Sequence, residues 1–261
     1  DADNLANLDP EYYRALIPGK TADFRDVYLR NRYGRSLSGL PVYDRVFNVG
    51  VHVAATRFTP LKSADHPVII GLDFGRTPAA TIIQRNARGQ LVVLDELNST
   101  NMGIETFLAS KLTPLLTRAD YLGTHIVVAP DPAGFAKQQV NEISPAEVVR
   151  RAGYKVVRPH TNNPELRIQA VERVMTRFID GKPSFQVNPE CVVLIRGLKG
   201  GYRYAFDRKG NQSDRPDKNE FSHGQDALQY ACIIAEGGHA GNPLLLNQRR
   251  EVSAVSSVGW T

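Results

Sequence analysis

The sequence predicts an α/β fold in which a mixed β-sheet is covered by helices. Three short β-like runs, residues 68–72, 79–84 and 91–97, follow one another directly, and helical and extended patterns alternate after them. The run "THIVVAPD", residues 124–131, is short and apolar, which is typical of a buried parallel strand. A meander followed by alternating helices and strands indicates one mixed sheet with helices packed on it.

The individual elements follow from spacing and from turn residues. "NARG" separates the second and third β-like runs as a turn, and apolar residues at helical spacing predict a helix near 103–116. Ser222 and Gln225 form an S-x-x-Q capping box, which predicts that the last helix begins at Ser222. The other predicted elements are a helix at about 145–152, the strand "YKVVRP", the long helix "NPELRIQAVERVMTRFI", the extended segment "SFQV" and a helix near 189–198.

The composition is that of an ordinary globular protein with one sizeable domain and an appendage. Hydrophobic residues make up 42% and charged residues 23% of the 261 residues, and the net charge of +5 mildly favours a polyanionic partner. No apolar run approaches the roughly 18 residues of a membrane span, and no signal-peptide core is visible. We therefore expect no membrane partner and a cytoplasmic location. Cys191 and Cys232 lie beside apolar residues and are predicted to be buried thiols.

The first sixty residues differ from the rest of the chain. "LDPEYYRALIPGKTADFRDVYLRNRYG" predicts two short helices broken at Pro18-Gly19, without an independent core. The chain begins without methionine, which favours a piece of a longer protein. We expect a helical and irregular linker segment at 1–60, the main domain at 61–245 and a polar tail at 246–261.

Three aspartates occupy the ends or beginnings of apolar elements. Asp73 ends the first strand, Asp131 ends "THIVVAPD" before an immediate turn, and Asp226 lies in the first turns of the last helix. The ends of neighbouring strands in an α/β sheet converge on one crevice, and a helix N-terminus can be brought against it. Taken singly, each aspartate also fits a turn, a cap or an exposed position near a helix N-terminus.

The chemistry of three converging carboxylates favours bound cations. Such carboxylates repel one another, so the cluster is tolerated only with cations or shifted pKa values. Hard oxygen ligands suit Mg²⁺ or Mn²⁺. Two such ions about 3.5–4 Å apart form the clamp that promotes in-line displacement at phosphodiesters. We therefore predict a site for two divalent cations with Asp73, Asp131 and Asp226 as catalytic residues and metal ligands, Asp73 bridging the ions.

At these residues the sequence resembles the nuclease domain of the large terminase subunit of tailed bacteriophages. The resembling segments, within roughly residues 68–235, are "GLDFGRTPAATII", "VVLDEL", "VVAPDPAG", "ELRIQAVERVM" and "FSHGQDALQYA". The resemblance implies an RNase H-like fold with a βββαβα core and metal-dependent cutting of concatemeric viral double-stranded DNA during genome packaging. It also implies that residues 1–60 end an ATPase region, that the portal, the small terminase subunit and the upstream ATPase domain are partners, and that the protein acts in the cytoplasm of the infected host cell.

Further residues are candidates near this site. His223 lies three residues before Asp226, on the same helical face, where it could orient a ligand, contact phosphate or merely cap the helix. Arg167 resembles the arginine of the family's "ELRI" segment, although helical arginines usually lie in solvent. Glu96, next to Asp95 at the end of the third strand, could reach the site or form a surface pair. We expect His223, Arg167 and Glu96 to support the metal ligands.

A basic segment is the candidate nucleic-acid contact. Residues 196–218 include seven basic and three acidic residues, and their glycines suggest a flexible hairpin. Its side chains can bind backbone phosphates, although a solvated loop is the alternative. The predicted contacts to double-stranded DNA are Lys199, Arg203, Arg208 and Lys209.

Other functions remain open at this point. "LDFGRT" also fits D-x-G-x-T, the first phosphate loop of actin-like and sugar-kinase-like ATPases, but "DPAGFA" matches their second loop poorly and Gly237-Gly238 comes late for their adenosine segment. "PGKT" is not a Walker A motif because position 14 is arginine, so we expect no ATPase core. A transposase or junction resolvase of the same fold is disfavoured by the N-terminal linker. A non-catalytic part of a DNA motor would not need the three carboxylates.

Overall fold

A five-stranded mixed sheet forms the centre of the protein. The computed structural model describes residues 39–136, 143–206 and 212–237. In chain order the strands there are β1 (Val68–Asp73), β2 (Ala79–Arg85), β3 (Leu91–Leu97), β4 (Ile126–Pro130), β5 (Phe178–Ile179), β6 (Lys182–Pro183), β7 (Phe185–Val187), β8 (Tyr204–Phe206) and β9 (Gln212–Pro216). The central sheet has the order β4-β1-β2-β3-β7, with β4 and β7 parallel to their neighbours and the other pairs antiparallel. The predicted mixed α/β class is confirmed.

Helices cover this sheet, and the last helix packs on its middle strands. In the same ranges the helices are α1 (Val49–His52), α2 (Ile104–Phe107), α3 (Thr113–Leu116), α4 (Pro145–Arg151), α5 (Pro164–Thr176), α6 (Val192–Arg196) and α7 (Ser222–Glu236). A π-helical stretch, Leu108–Leu112, joins α2 to α3. No helix in the described part of the chain combines the length and the apolar character that a bilayer crossing requires.

The sheet separates two apolar cores, which explains why its strands are so apolar. Successive residues of a strand point to opposite faces. Ile69 accordingly packs with side chains of α5 and α7, whereas its neighbours Val68 and Ile70 pack with those of α2 and α3. Every residue of β1 is buried, so an aspartate at its end requires partners.

The segment before β1 is attached to the domain by two buried side-chain amides. Asn188 accepts the backbone N–H of Phe58 and donates to its carbonyl, and Gln84 does the same for Leu61. Tyr43, further upstream, is buried in the core shared with α5 and α7. The predicted boundary near residue 60 stays a prediction. The two predicted N-terminal helices and the polar tail lie outside the described residues.

Two local predictions are wrong. "YKVVRP" forms only an isolated bridge, between Val156 and Val128, because the chain leaves the edge of the sheet within a few residues of it. The capping box of the last helix does not form, although the helix begins at Ser222 as predicted. The Ser222 hydroxyl donates to the carbonyl of Asn219, and Gln225 points into the core and donates to the carbonyl of Leu194.

Candidate active site at the carboxyl end of the sheet

The fold brings all three aspartates to one edge of the sheet. The Asp131 backbone N–H donates to the carbonyl of Leu72, so the ends of β4 and β1 lie side by side. Gly71 lets α7 approach β1 directly, because a Cβ atom at this position would lie 1.8 Å from the carbonyl oxygen of Ala227. This close contact places Asp226, the residue before Ala227, beside the end of β1.

Asp73 is buried and bonded to a histidine. Its side chain is 8% exposed, and its Oδ2 lies 2.8 Å from Nδ1 of His223. Burial raises the pKa of Asp73, the His223 hydrogen bond opposes this, and the charge of Asp226 raises the pKa further. The hydrogen bond to Asp73 raises the pKa of His223 in turn. Burial therefore disfavours the negative charge of Asp73, and a hydrogen-donating or positive group beside it offsets part of that cost.

Asp226 lies between two cations and a phenol. Lys218 Nζ forms an ion pair with Oδ2, Arg167 NH1 lies 3.5 Å from Oδ1, and Tyr202 donates its hydroxyl to Oδ1. The Arg167 guanidinium is buried over the ring of Tyr230, 4.7 Å from its centroid. The Lys218 side chain is 71% exposed, whereas that of Asp226 is 4% exposed. Lys218 is therefore the partner of Asp226 that can move away most easily.

Asp131 is oriented by its own turn and by a neighbouring loop. Its Oδ1 accepts the backbone N–H of Ala133 at 2.8 Å and the side-chain amide of Asn162 at 3.1 Å. Asn162 in turn accepts the hydroxyl of Tyr230 at 3.1 Å. Burial raises the pKa of Tyr230, and the charges of Asp131, Asp226 and Asp73 raise it further. The charges of all three carboxylates thus raise the pKa of the same phenol, Tyr230.

The three acids lie at the same edge of the sheet, but they are not arranged as a preformed metal site. Within the described ranges, no three His, Cys, Asp or Glu side chains are grouped closely enough to hold a metal ion as they stand. Asp73 and Asp226 are turned towards His223 and Lys218, and Asp131 is turned towards Asn162. Each of the three carboxylates is therefore already bonded to another side chain of the protein.

Glu96 lies in a separate arrangement of acids. Its two oxygens accept the backbone N–H groups of Val193 and Leu194, each at 2.8 Å, and so cap the start of α6. Burial raises the pKa of Glu96. The neighbouring Asp95 accepts hydrogen bonds from Arg57 and from the Tyr121 hydroxyl, both at 2.6 Å.

Two of the four predicted DNA contacts, Lys199 and Arg203, lie in the segment just before a β-hairpin that precedes α7. Lys199 is exposed in the π-helical stretch Gly197–Gly201, which follows α6. Arg203 is half-buried, and its backbone bridges to Pro41 and accepts the N–H of Asp217. Strands β8 and β9 pair as an antiparallel hairpin. Arg208 and Lys209 lie outside the described residues.

Four residues of the site are missing from the sequence prediction: Lys218, Tyr202, Asn162 and Tyr230. Only Tyr230 has a local signal, because it lies four residues after Asp226 on the same face of a helix. The other three lie between helices and strands, where no periodicity indicates which way a side chain points. Their contacts depend on the path of the chain through those connections.

Comparison with solved structures identifies the fold. The nuclease domain of the phage P22 large terminase aligns with a TM-score of 0.54 and 13% identity, covering 77% of this chain and 95% of that domain. The large terminase of a thermophilic bacteriophage aligns with a TM-score of 0.53 and 18% identity, covering 87% of this chain and 52% of that protein. This chain thus spans about half the length of that thermophilic-phage terminase. No protein-family model and no curated protein matches it. The chain has the fold of the nuclease domains of phage large terminases.

Proposed function

We propose that this chain is a metal-dependent endonuclease that hydrolyses phosphodiester bonds of viral double-stranded DNA during genome packaging. The observation that carries the proposal is the placing of Asp73, Asp131 and Asp226 at one edge of the sheet, where Asp73 contacts His223 and Asp226 contacts the exposed Lys218. The fold shared with terminase nuclease domains supports the same function.

The donor set fits hard divalent cations. Asp73, Asp131 and Asp226 offer carboxylate oxygens, which Mg²⁺ and Mn²⁺ prefer, and burial of Asp73 and Asp226 makes a positive partner necessary. These three residues would hold two such ions. When bound, the ions would supply an activated water and charge stabilisation of the leaving 3′ oxygen.

The remaining residues of the site orient the carboxylates. Arg167 and Tyr202 hold one oxygen of Asp226, so that its other oxygen faces the exposed Lys218. Asn162 and the Ala133 N–H bind one oxygen of Asp131 and leave the other available. Such fixed orientation reduces the reorganisation that catalysis would otherwise require.

The proposed DNA contacts are based on basic side chains, and the proposed protein partners are based on similarity to terminases. Lys199 and Arg203, together with Arg208 and Lys209, are proposed to bind backbone phosphates next to the carboxylates. An upstream ATPase domain, the portal and the small terminase subunit are proposed as partners in the host cytoplasm. The likeness to the large terminase of a thermophilic bacteriophage, of which this chain spans about half, supports a longer terminase chain. The portal and the small subunit are proposed from the sequence resemblance alone.

Plasmid cleavage tests the proposed function. The chain should nick or linearise supercoiled plasmid with Mg²⁺ or Mn²⁺, with little sequence preference, and EDTA should abolish the cutting. Asp73→Asn should be inactive, whereas Glu96→Gln, which neutralises a half-buried acid that caps α6, should still cut. Full cutting in EDTA or by Asp73→Asn would exclude this function.

A further inference from the structure

Two arginines lie over one phenylalanine ring beside the proposed active site. The guanidinium of Arg150 lies 5.4 Å from the ring centroid of Phe135, and that of Arg158 lies 5.0 Å from it. Guanidinium groups at these distances are attracted by the electron-rich face of an aromatic ring. We call these three residues the arginine stack.

The arginine stack adjoins the turn and the loop that hold Asp131. Phe135 ends the turn that Asp131 begins. Val156 bridges to Val128 of β4, and the backbone N–H of Val157 donates to the Val128 carbonyl, so Arg158 directly follows the residues that contact the edge of β4. Four residues after Arg158, Asn162 donates to the Asp131 carboxylate. The stack is therefore built on the same two segments that orient this acid.

Among the residues that the structure describes, few acids neutralise the charge of the arginine stack. Residues 145–160 contain Arg150, Arg151, Lys155 and Arg158 but only one acid, Glu147. Glu147 lies 3.5 Å from Arg150 and 3.4 Å from Arg151, so it is shared by two arginines. Arg158 is exposed and has no ion-pair partner among the residues that the structure describes. A surface with this excess of exposed positive charge favours a polyanion.

We propose that the arginine stack is a second phosphate-binding surface, which holds the backbone of duplex DNA next to the cut, on the Asp131 side of the site. This inference rests on the proposed nuclease function. A guanidinium fork matches the oxygens of a phosphate group, and stacking on Phe135 limits the side-chain freedom that binding would otherwise remove. Lys199 and Arg203 belong to a different segment, between α6 and β8, so the stack adds an independent contact to the DNA path.

Salt-dependent DNA binding tests the stack. The full chain is titrated with a fluorescent duplex in EDTA, so that no cutting occurs, at salt concentrations from about 50 to 200 mM. Arg158→Gln should weaken binding about three- to tenfold and lower the slope of log K against log salt by about 0.9 for each lost phosphate contact. Phe135→Leu keeps both charges, so it should leave the slope unchanged and weaken binding less than Arg158→Gln does.

Arg88→Gln is the matched control. Arg88 is an exposed arginine in the turn between β2 and β3, at the opposite end of the sheet, because Gln84 pairs with Val68 at the start of β1. Equal affinities and slopes for Arg158→Gln and Arg88→Gln would overturn the proposal. A polyglutamate peptide that loses affinity for Arg158→Gln while the duplex does not would also overturn it, and would point to an acidic protein partner.

The same variants separate this inference from the function on which it rests. If Arg158→Gln binds DNA like the control while the unsubstituted chain still cuts plasmid, only the arginine stack is refuted. If the unsubstituted chain fails to cut plasmid with Mg²⁺ or Mn²⁺, the nuclease function is refuted and the inference is overturned with it.

Discussion

Two pairs of acids at strand and helix ends of the same domain differ in one respect: only one of the four, Glu96, is held by backbone groups. Asp95 and Glu96, at the end of β3, bind the Arg57 side chain, a tyrosine hydroxyl and two backbone N–H groups. Asp73 and Asp226 bind the half-buried His223 and the exposed Lys218. Backbone groups cannot leave without unfolding α6, whereas the side chains of His223 and Lys218 can rotate away.

We propose that this difference separates structural acids from those that bind metal. In the sequence all of these acids look alike, because each has one negative charge near the end of an apolar element. In the structure, a cation can reach only a carboxylate whose present partner can be displaced. Asp73 and Asp226 meet that condition, and Glu96 does not. The predictions below test the contrast by exchanging one acid of each pair.

The largest expected effect is on cleavage by Asp73→Asn. Loss of a proposed metal ligand should lower the cleavage rate at least about hundredfold, more than the loss of a residue that merely supports a ligand. Because burial raises the pKa of Asp73, its ionised form is held at a cost in folding free energy, and the neutral amide should leave the melting temperature without metal unchanged or higher. Plasmid cleavage and thermal unfolding of the same preparation measure both. If the Asp73→Asn variant cuts within about tenfold of the unsubstituted rate, Asp73 is not a metal ligand that cleavage requires.

Glu96→Ala should give the opposite result. It removes both side-chain acceptors at the start of α6 and should lower the free energy of unfolding by about 1–2 kcal/mol. Cleavage measured well below the melting temperature should stay close to that of the unsubstituted chain. Urea unfolding, with the exposed Glu105→Ala as a control, measures the stability. Undiminished stability together with lost cleavage would assign Glu96 to the site instead.

Lys218→Gln tests whether the partner of Asp226 is displaceable. Lys218 competes for the same oxygen that a cation would use and repels that cation, so its neutralisation should tighten Mn²⁺ binding about three- to tenfold. Free Mn²⁺ measured by electron paramagnetic resonance, without DNA, reports this affinity. Lys199→Gln, the same charge change at an exposed position, should have a smaller effect. Equal effects of the two substitutions would mean that the ion pair with Asp226 has no role in cation binding.

The smallest expected effect is in the pH dependence of Glu96. Its pKa is raised above the ordinary value of 4.5, so the folded state binds the proton more tightly than the unfolded chain does. The free energy of unfolding contributed by this group therefore falls as pH rises through the unfolded pKa towards the folded one, and is constant above it. Glu96→Gln should remove that decline, seen as a shallower loss of stability between pH 4 and 7. Parallel pH profiles of the two proteins would contradict this.

The sequence predicted the strands better than the contacts between elements. Strands β1, β2 and β3 have strong apolar patterns and begin and end within a residue of the prediction. The capping box failed because Gln225 is drawn to the carbonyl of Leu194 in the core, a partner distant in sequence. Tertiary packing of this kind leaves no local pattern.

The dependence on tertiary packing also explains why only part of the candidate site was predicted from the sequence. Its acids could be found because each lies where an apolar element begins or ends, but their partners could not, apart from His223 and Arg167. Lys218 and Asn162 lie in loops, where no periodicity indicates direction, and their roles depend on how α7 and β4 pack against β1. The close approach at Gly71 that brings Asp226 to Asp73 likewise appears only in three dimensions.

A crystal of this chain soaked in Mn²⁺ tests the central claim most directly. Anomalous scattering locates the metal independently of any assay. The account predicts two anomalous peaks among Asp73, Asp131 and Asp226, with the Lys218 side chain displaced from Asp226. Mn²⁺ absent from these carboxylates at saturating concentration, or bound instead at Asp95 and Glu96, would contradict it.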